Sequence, residues 1–565
     1  MKGEQFELSV PNPFEGAQGS SSETEFKTST SQVLISNADT NGRLDEAVSP
    51  PKDLKFWMCI VSVMFASFLM TLEMSGIGTA LPVIVSDLHG KQFEWVGTAY
   101  TLAATAFLPM SGALAQVFGR RNVMLLQIFY FALGSALCGA ATSLGFLIAG
   151  RTIQGMGVAG IASLSQIIIA DLVPLQERGT YNGLVALAFG FGTAIAPVVA
   201  GSLAQKGQWR WFFYMNLPIC GVTACISAIY LNLKVPRGTF KEKILSLDWT
   251  GNTIIVASTT SVVLALTWGG IEFPWSSAKV LVPLILGLAG LVAFVIYEAK
   301  VPEAPLVPLR ILAHRTSISG YVQAFFGNFY LLGTIFYLPT FFQACKDASP
   351  TRSGVDVFGL AFTIMPFGII AGVSVAKFGR YRPQLWLAWV SLIVGGALMS
   401  TLDTDSNVGH FIGYQVIVGL GLGILLTTGF FPVLAPLTVK YNASALAFFM
   451  FVRWFSQIWG VTVGGTVLQN GLTKKLPADF VSRFPEGTSI SFSIIPVIPD
   501  LEEPFKRQVQ DAFSQSLRIF WLVLTGVAGL GLISSFFMQA LPLHTAMDKD
   551  WGLEDKKRNV ETHAP

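Results

Sequence analysis

Residues 112–121 read GALAQVFGRR, and residues 372–380 read GVSVAKFGR. In both stretches a glycine is followed six residues later by Phe-Gly-Arg, and the two copies are 260 residues apart. Each copy ends an apolar run of about twenty residues, the length that crosses a bilayer as one helix. Because repeated halves are typical of secondary transporters, the two stretches predict a membrane protein built from two similar bundles.

The composition of the whole chain also favours a membrane protein. Of its 565 residues, 52% are hydrophobic and 13% are charged, whereas soluble proteins carry about a quarter charged residues. The net charge of +3 is too small to indicate a nucleic-acid partner. Spanning segments must satisfy their own backbone hydrogen bonds, so we expect helices. The apolar runs predict fourteen, at 56–81, 95–116, 123–143, 145–170, 181–204, 211–233, 249–268, 280–298, 317–343, 356–376, 384–402, 409–436, 443–468 and 517–541.

The charges of the loops predict that both termini are cytoplasmic. Loops after even-numbered helices hold fourteen Lys and Arg residues, and the six short loops on the other side hold six. The positive-inside rule assigns the richer side to the cytoplasm. The predicted organisation is a disordered tail at 1–55, a six-helix bundle at 56–233, two additional helices with linkers at 234–310, a second six-helix bundle at 311–541 with a long outer loop at 469–516, and a tail at 542–565.

Five motifs in order along these helices resemble those of the major facilitator superfamily, and most of all its fourteen-helix drug:proton antiporter branch of the fungal efflux-pump type. The motifs are Leu72-Glu73 with Ala80-Leu81-Pro82; the stretch 112–121; RTIQGMG at 151–157; Gly183, Gly192, Ala196-Pro197 and Ala200-Gly201; and Trp209-Arg210-Trp211-Phe212 with Asn216-Leu217-Pro218. The resemblance covers about residues 56–468 and the last helix. It implies an all-α membrane fold of two six-helix bundles plus two extra central helices.

The resemblance also implies a function. It predicts a proton-coupled transporter, acting as a monomer in the plasma membrane, that exports a secondary metabolite, toxin or drug by alternating access. Three alternatives stay open: a proton-coupled importer, for example of a siderophore, a membrane sensor that does not transport, and a location in the vacuolar membrane. The sequence has no Walker lysine loop, no His-Glu-x-x-His and no metal-spaced Cys pair, so it predicts no enzyme, metal or cofactor.

Residues of these motifs are expected to control the change between conformations. The family usually has Asp where this chain has Gln116, and that Asp is thought to hold the two halves together in one state. Pro197 removes a backbone donor and bends its helix, while small residues let helices approach. This combination could seal a leak path, and ordinary packing is the alternative. The residues assigned to conformational control are Gly112, Gly119, Arg120, Gly192, Pro197, Gly201, Gly379 and Arg380.

Glu73 is the most informative residue, since it is the only carboxylate of the predicted spans away from a helix end. A charge at the bilayer centre costs about 2.5–3.5 kcal/mol on insertion scales, so it faces a cavity or a partner. Arg151 is the natural partner, because at 1.5 Å per residue the two depths differ by about 3 Å. We expect a proton on Glu73 to release Arg151. Two structural alternatives are a permanent ion pair and an arginine that only binds backbone carbonyls.

Other polar side chains in the spans are candidates for a cargo cavity. Arg453 and Gln457 share a face of the thirteenth helix, and Gln323 and Asn328 lie on the ninth. Tyr100 and Gln154 are added by the family pattern. Holding helices together is the alternative for the amides, and packing is the alternative for Tyr100. The basic clusters Arg120-Arg121 and Arg380 with Arg382 suit anionic lipid headgroups or helix C-termini.

Overall fold

The computed structural model describes residues 52–88, 94–233, 239–270, 272–302, 305–481, 494–543 and 545. The predicted N-terminal tail therefore lies outside the described residues except for 52–55. Most of the predicted C-terminal tail and the middle of the predicted outer loop, 482–493, also lie outside them.

Long helices occupy all the positions that the apolar runs predicted, and no strand is assigned within the described ranges. They are α1 (Leu54–Leu88), α2 (Glu94–Phe118), α3 (Arg120–Gly139), α4 (Leu144–Leu172), α5 (Arg178–Gln205), α6 (Asn216–Tyr230), α7 (Trp249–Trp268), α8 (Ala278–Lys300), α9 (Arg315–Cys345), α10 (Phe358–Phe378), α11 (Arg382–Met399), α12 (Val408–Thr428), α13 (Asn442–Lys475) and α14 (Phe505–Ser535). A short helix, Arg210–Tyr214, leads into α6, and another, Pro350–Asp356, precedes α10.

Thirteen candidate membrane spans in the described ranges are long and apolar enough to cross a bilayer. The remaining helix, α11, has 18 residues, and its mean hydropathy is lowered by Arg382, Pro383 and Gln384 in its first turn. It packs between α12 and α14. The chain is therefore a helical multi-pass membrane protein, as predicted.

Two helices extend past their predicted ends. α13 continues to Lys475 and α14 begins at Phe505, so the predicted outer loop at 469–516 is shorter than expected. The added turns carry Lys, Arg and Gln side chains, which water solvates outside the hydrocarbon. Hydropathy marks where a helix leaves the membrane and not where the helix ends.

The repeated Phe-Gly-Arg has a conformational reason. Gly119 and Gly379 have φ angles of +88° and +63°, which a side chain would strain. Gly119 separates α2 from α3, and Gly379 ends α10 just before α11. Both copies therefore use a glycine with a positive φ at the equivalent connection, eight helices apart, although ψ differs, at 151° for Gly119 and 16° for Gly379. We call the side of the molecule with these two loops the motif end.

Helix packing repeats with the same offset. In the first bundle α1 packs against α5, while α2 and α3 pack against α4; in the second bundle α9 packs against α13, while α10 and α11 pack against α12. The bundles meet where α5 packs on α10 and α2 packs on α13. These two contacts are equivalent in the repeat, because α13 corresponds to α5 and α2 corresponds to α10 with the offset of eight helices. α7 and α8 pack on each other, and α7 contacts α2 and α13.

Exposure to lipid differs sharply between helices. Only 17% of the apolar window of α8 is buried, against 83% for α4. α8 presents Leu281, Val282, Ile285 and Leu286 on the outer surface, as hydrocarbon requires. Because α4 is shielded on nearly all sides, it can carry charged and polar side chains at membrane depth.

Candidate functional site

Glu73 on α1 and Arg151 on α4 form an ion pair inside the first bundle. Glu73 Oε1 lies 2.5 Å from Arg151 Nη1, and the two residues are 0% and 1% exposed. The structure therefore brings together the two charges that the sequence paired. Their role in proton coupling stays a prediction.

Neutral side chains complete the hydrogen bonds of this pair. Asn216 Nδ2 donates to Glu73 Oε2 over 2.6 Å. Arg151 donates from Nη1 to Gln154 Oε1 over 2.7 Å and from Nε to the carbonyl of Val96 over 3.0 Å. Gln154 Nε2 in turn donates to Ser135 Oγ over 2.7 Å. Five helices of the first bundle thus supply the cluster, in which each ionic group has further partners.

Tyr100 on α2 lies against the guanidinium of Arg151. Its ring centroid is 4.2 Å from Arg151 Cζ, a cation–π distance, and its hydroxyl donates to the carbonyl of Met70 over 3.4 Å. Tyr100 is 1% exposed. The structure therefore places Tyr100 and Gln154 in the ion-pair cluster, although the family pattern predicted them in a cargo cavity.

Close helix approach makes the cluster possible. A Cβ on Gly155 would lie 2.3 Å from the carbonyl oxygen of Tyr100, and one on Gly134 would lie 2.4 Å from the backbone nitrogen of Gln154. Real Cβ atoms are not found at such distances. Glycine at these positions lets α2 and α3 approach α4 closely enough for short polar side chains to reach Arg151.

The ion pair can bind and release a proton only with a rearrangement, because Glu73 has no exposed surface in this conformation. With Glu73 ionised the cluster is neutral overall. Protonation would leave the charge of Arg151 with an amide, a carbonyl and a ring as partners. The arrangement therefore links the charge state of one carboxyl group to the packing of α1 against α4.

A cavity of about 340 Å³ lies in the second bundle, between α9, α12 and α13. Gln323, Asn328 and Arg453 line it together with Gly429, Phe449 and apolar side chains. Gln457 does not line it, and its buried Oε1 has no hydrogen-bond partner in the described part of the chain. The structure thus gathers three of the six predicted cavity residues.

The two bundles touch at the motif end. A Cβ on Gly112 would lie 2.5 Å from the Cβ of Ala447, so α2 and α13 are in close contact there. Gln116 Nε2 donates to Ser444 Oγ, in the first turn of α13, over 3.0 Å. Where the family usually has Asp, this chain therefore joins its bundles through a neutral hydrogen bond.

Arg120 has a buried structural environment. Its Nε donates to Asp171 Oδ2 over 2.9 Å, and its Nη1 donates to the carbonyl of Ala115, in the last turn of α2, over 2.7 Å. With 1% exposure it cannot reach lipid, so the headgroup interpretation is wrong for Arg120 and the helix C-terminus interpretation holds. Arg380, in contrast, is exposed.

The small-residue pattern of α5 faces two neighbours. A Cβ on Gly192 would approach α1, with Thr71 Cβ at 3.1 Å, and Pro197 accepts a hydrogen bond from Thr79 over 3.4 Å. A Cβ on Gly201 would lie 3.2 Å from Thr351 Oγ1 in the second bundle. The pattern thus lies at helix contacts, and its role in sealing a leak path stays a prediction.

Sequence reasoning missed Asn216 and Ser135 as members of the cluster. Asn216 lies in the quoted Asn216-Leu217-Pro218 motif, which was a usable signal. Ser135 has none, because a serine in an apolar helix is common. The Oδ1 atom of Asn216 is buried without a partner among the described residues, so this side chain has an unused acceptor beside the ion pair.

Comparisons with known proteins agree with this architecture. The model of the Major Facilitator Superfamily matches residues 63–461. The chain is 37% identical over 517 residues to an efflux pump, FUS6, of Gibberella fujikuroi, covering 90% of this chain and 93% of that one. It is 35% identical to an MFS-type efflux pump, LUC4, of a Fusarium species, covering 93% and 95%. An MFS-type transporter of the acurin A biosynthesis cluster of Aspergillus aculeatus is 34% identical, over 89% and 93%.

Solved structures show the same fold. The human organic anion transporter MFSD10 is similar with a TM-score of 0.54 at 14% identity, over 87% of this chain and all of that one. The proton:xylose symporter XylE has a TM-score of 0.54 at 13% identity, over 81% and 98%. At such low identity these likenesses establish the fold alone.

Proposed function

We propose, from the premise that the chain belongs to the Major Facilitator Superfamily, that it exports a small organic molecule in exchange for protons. The family consists of transporters, so the chain is a transporter and not an enzyme. Export is supported by the relatives named efflux pumps, and the relative named for a biosynthesis cluster supports a secondary metabolite as cargo. A toxin or drug belongs to the same chemical range.

The observation that carries proton coupling is the sealed Glu73–Arg151 pair. Removing one partner of a buried ion pair costs about 3–5 kcal/mol. Two conformations of a protein typically differ by a few kcal/mol. A proton on Glu73 would therefore change the energy of this conformation by as much as the equilibrium between conformations requires.

Alternating access follows from the arrangement of the bundles. In this conformation they touch at the motif end, which the loop charges predict to be cytoplasmic. The proposed cycle opens this end to admit cargo, closes it through the contacts of α2 with α13 and α5 with α10, and releases cargo outside. Proton entry through Glu73 drives the cycle in that direction.

We further propose that the protein acts as a monomer in the plasma membrane with both termini in the cytoplasm; the vacuolar membrane is the alternative. Arg380, exposed at the motif end, would meet anionic lipid headgroups there. We propose the same domain boundaries as the sequence predicts, with α7 and α8 between the two bundles along the chain.

Uptake into everted plasma-membrane vesicles tests the function. Vesicles with an acidic interior are incubated with a fungal culture extract, and accumulated compounds are identified by mass spectrometry. We expect accumulation that a protonophore abolishes and that Glu73→Gln lowers at least tenfold. Glu298→Gln is the matched control, because Glu298 is a buried carboxyl group of α8, 5% exposed, outside the cluster.

Each alternative predicts a different result. An importer would accumulate compounds in right-side-out vesicles with an acidic exterior, and a sensor would accumulate none in either orientation. Undiminished uptake by Glu73→Gln would remove this carboxyl group from the mechanism while leaving the direction of transport intact.

A further inference from the structure

The cavity of the second bundle has apolar walls and a single charged side chain. Its apolar lining includes Leu331, Leu422, Leu425, Leu426 and Phe449, and Arg453 is the one charged side chain among the described residues that line it. The space between its lining side chains is about 340 Å³, including the part open to solvent, so a cargo enters it only when the cavity widens during the transport cycle.

The two amides that line the cavity are already engaged in hydrogen bonds. Gln323 Oε1 accepts from Trp389 Nε1 over 2.9 Å, and Gln323 Nε2 donates to Ser319 Oγ over 3.0 Å. Asn328 Nδ2 donates to the carbonyl of Ala324 over 2.9 Å. Both amides are thus held in place by hydrogen bonds within the protein.

Arg453 is held at one nitrogen only. Its Nε donates to Asn328 Oδ1 over 3.1 Å, and its Cζ lies 5.6 Å from the ring centroid of Phe449. Neither terminal nitrogen donates a hydrogen bond to a described residue, and no described carboxylate forms an ion pair with Arg453. Both terminal nitrogens of Arg453 therefore carry N–H groups that no described residue accepts from.

The buried arginines in the described part of the chain are compensated. Arg151 has Glu73 and Arg120 has Asp171. Arg178 donates to the backbone carbonyls of Ala170 and Val173. Arg453 alone among these four lacks both a carboxylate and a backbone carbonyl in the described structure. Arg453 is half-buried, so its terminal nitrogens are accessible to a ligand that enters the cavity.

We propose that Arg453 recognises a carboxylate on the cargo, whose apolar body occupies the leucine-lined cavity. This inference rests on the proposed function and names the substrate class of the same transporter. The planar guanidinium binds a carboxylate through two parallel hydrogen bonds. Because Asn328 occupies Nε, the carboxylate binds end-on to the two terminal nitrogens, and Asn328 acts as the positioning residue.

Equilibrium binding to the purified full-length protein tests this inference. Isothermal titration at pH 7.5 compares 2-naphthylacetate with 2-naphthylacetamide, which has the same rings and no charge. We expect the wild-type protein to bind the carboxylate at least tenfold more tightly than the amide. Arg453→Gln should reduce this ratio of affinities below twofold. Arg453→Lys should retain part of the preference, since lysine keeps the charge without the two parallel donors of the guanidinium.

Arg352→Gln is the control, because Arg352 is exposed and pairs with Asp356 away from the cavity. It should bind as the wild type does. Equal affinity of the wild type for both probes, no binding of the carboxylate up to 1 mM, or an unchanged preference in Arg453→Gln each overturns the inference. If Arg453→Gln cannot be purified folded, Arg453→Lys serves the same purpose: its preference for the carboxylate should be smaller than that of the wild type, and an unchanged preference overturns the inference.

These measurements need no proton gradient, so they are independent of the vesicle test. A protein that prefers the carboxylate and fails to transport would keep this inference and lose the export proposal. A protein that exports and shows no carboxylate preference would do the reverse.

Discussion

Replacing Glu73 and Arg151 singly and together measures how strongly the two charges depend on each other. Glu73→Gln keeps an acceptor for Asn216 and leaves Arg151 with Gln154, a carbonyl and the ring of Tyr100. We therefore expect it to lower the free energy of unfolding by about 3 kcal/mol, the lower end of the range for broken buried pairs. Arg151→Gln leaves a buried carboxylate with Asn216 as its remaining partner, so we expect it to lower the free energy of unfolding by about 5 kcal/mol.

The double variant contains no buried charge at this site. Neutral replacement of a buried ion pair is often without cost, so we expect the double variant to be more stable than either single variant. If the two effects were independent, they would add to about 8 kcal/mol. Equilibrium unfolding of the three variants in mixed micelles gives the free energies directly. Additive losses would show that the two charges do not interact in the folded protein.

Gln116→Asp is expected to favour the conformation in which the bundles touch at the motif end. The reason is that a carboxylate at the first turn of α13, beside Ser444, gains about 0.3–1 kcal/mol from the helix N-terminus. Spin-label distances between the bundles at that end should shorten, and an unchanged distance distribution would contradict this. Gly379→Ala should lower the free energy of unfolding by about 1–2 kcal/mol, since φ is +63° and no atom lies within 4 Å of the added Cβ. Gly413→Ala, equally open but in helical α12, should not lower it. The hydroxyl of Ser406 donates a hydrogen bond to Asp403 and holds the pKa of that carboxyl group below its ordinary value of 3.8. The stability that this ionised group contributes is complete above about pH 4 and is lost as the pH falls through the folded-state pKa. Asp403→Asn should therefore weaken the pH dependence of the thermal stability between about pH 2 and 5. An unchanged pH dependence would contradict the assignment.

The fold was predictable because a bilayer imposes a length on each helix. Apolar runs near twenty residues located every long helix, including α11, whose polar first turn lowers its mean hydropathy. The repeat of Phe-Gly-Arg at Gly119 and Gly379 was recognisable in the sequence, and its structural cause is a positive φ at both glycines. Helix ends such as Phe505 were not predictable, since a helix can continue into water without any hydrophobic signal.

The site was predictable only where a residue is rare at its depth. A carboxylate or a guanidinium in hydrocarbon is costly, so Glu73 and Arg151 stand out in the sequence. Ser135 and Gln154 are neutral and common, and only the packing of α3 on α4 brings them together. The contact of Gln116 with Ser444 joins residues 328 positions apart, which no local pattern can reveal.

The proposed proton site and the proposed cargo site lie in different bundles, so coupling has to cross a contact between the bundles, and the contact of α2 with α13 lies beside Arg151. Tyr100 packs on Arg151 at 4.2 Å, and its ring centroid lies 6.4 Å from that of Trp454. Trp454 directly follows Arg453 along α13. The rings of Tyr100 and Trp454 therefore connect Arg151 to the turn of α13 that carries Arg453.

This contact predicts a measurable linkage. Because coupling between two sites typically changes affinity by about 5–150-fold, Glu73→Gln should alter the affinity for 2-naphthylacetate at least fivefold in the otherwise wild-type protein. In a Trp454→Leu background the same change should have less than a twofold effect. Trp459→Leu, a tryptophan of the same helix that packs near α7, should preserve the linkage. An equal effect of Glu73→Gln in both backgrounds would show that protonation is transmitted by another route, because the only difference between them is the ring that contacts Tyr100.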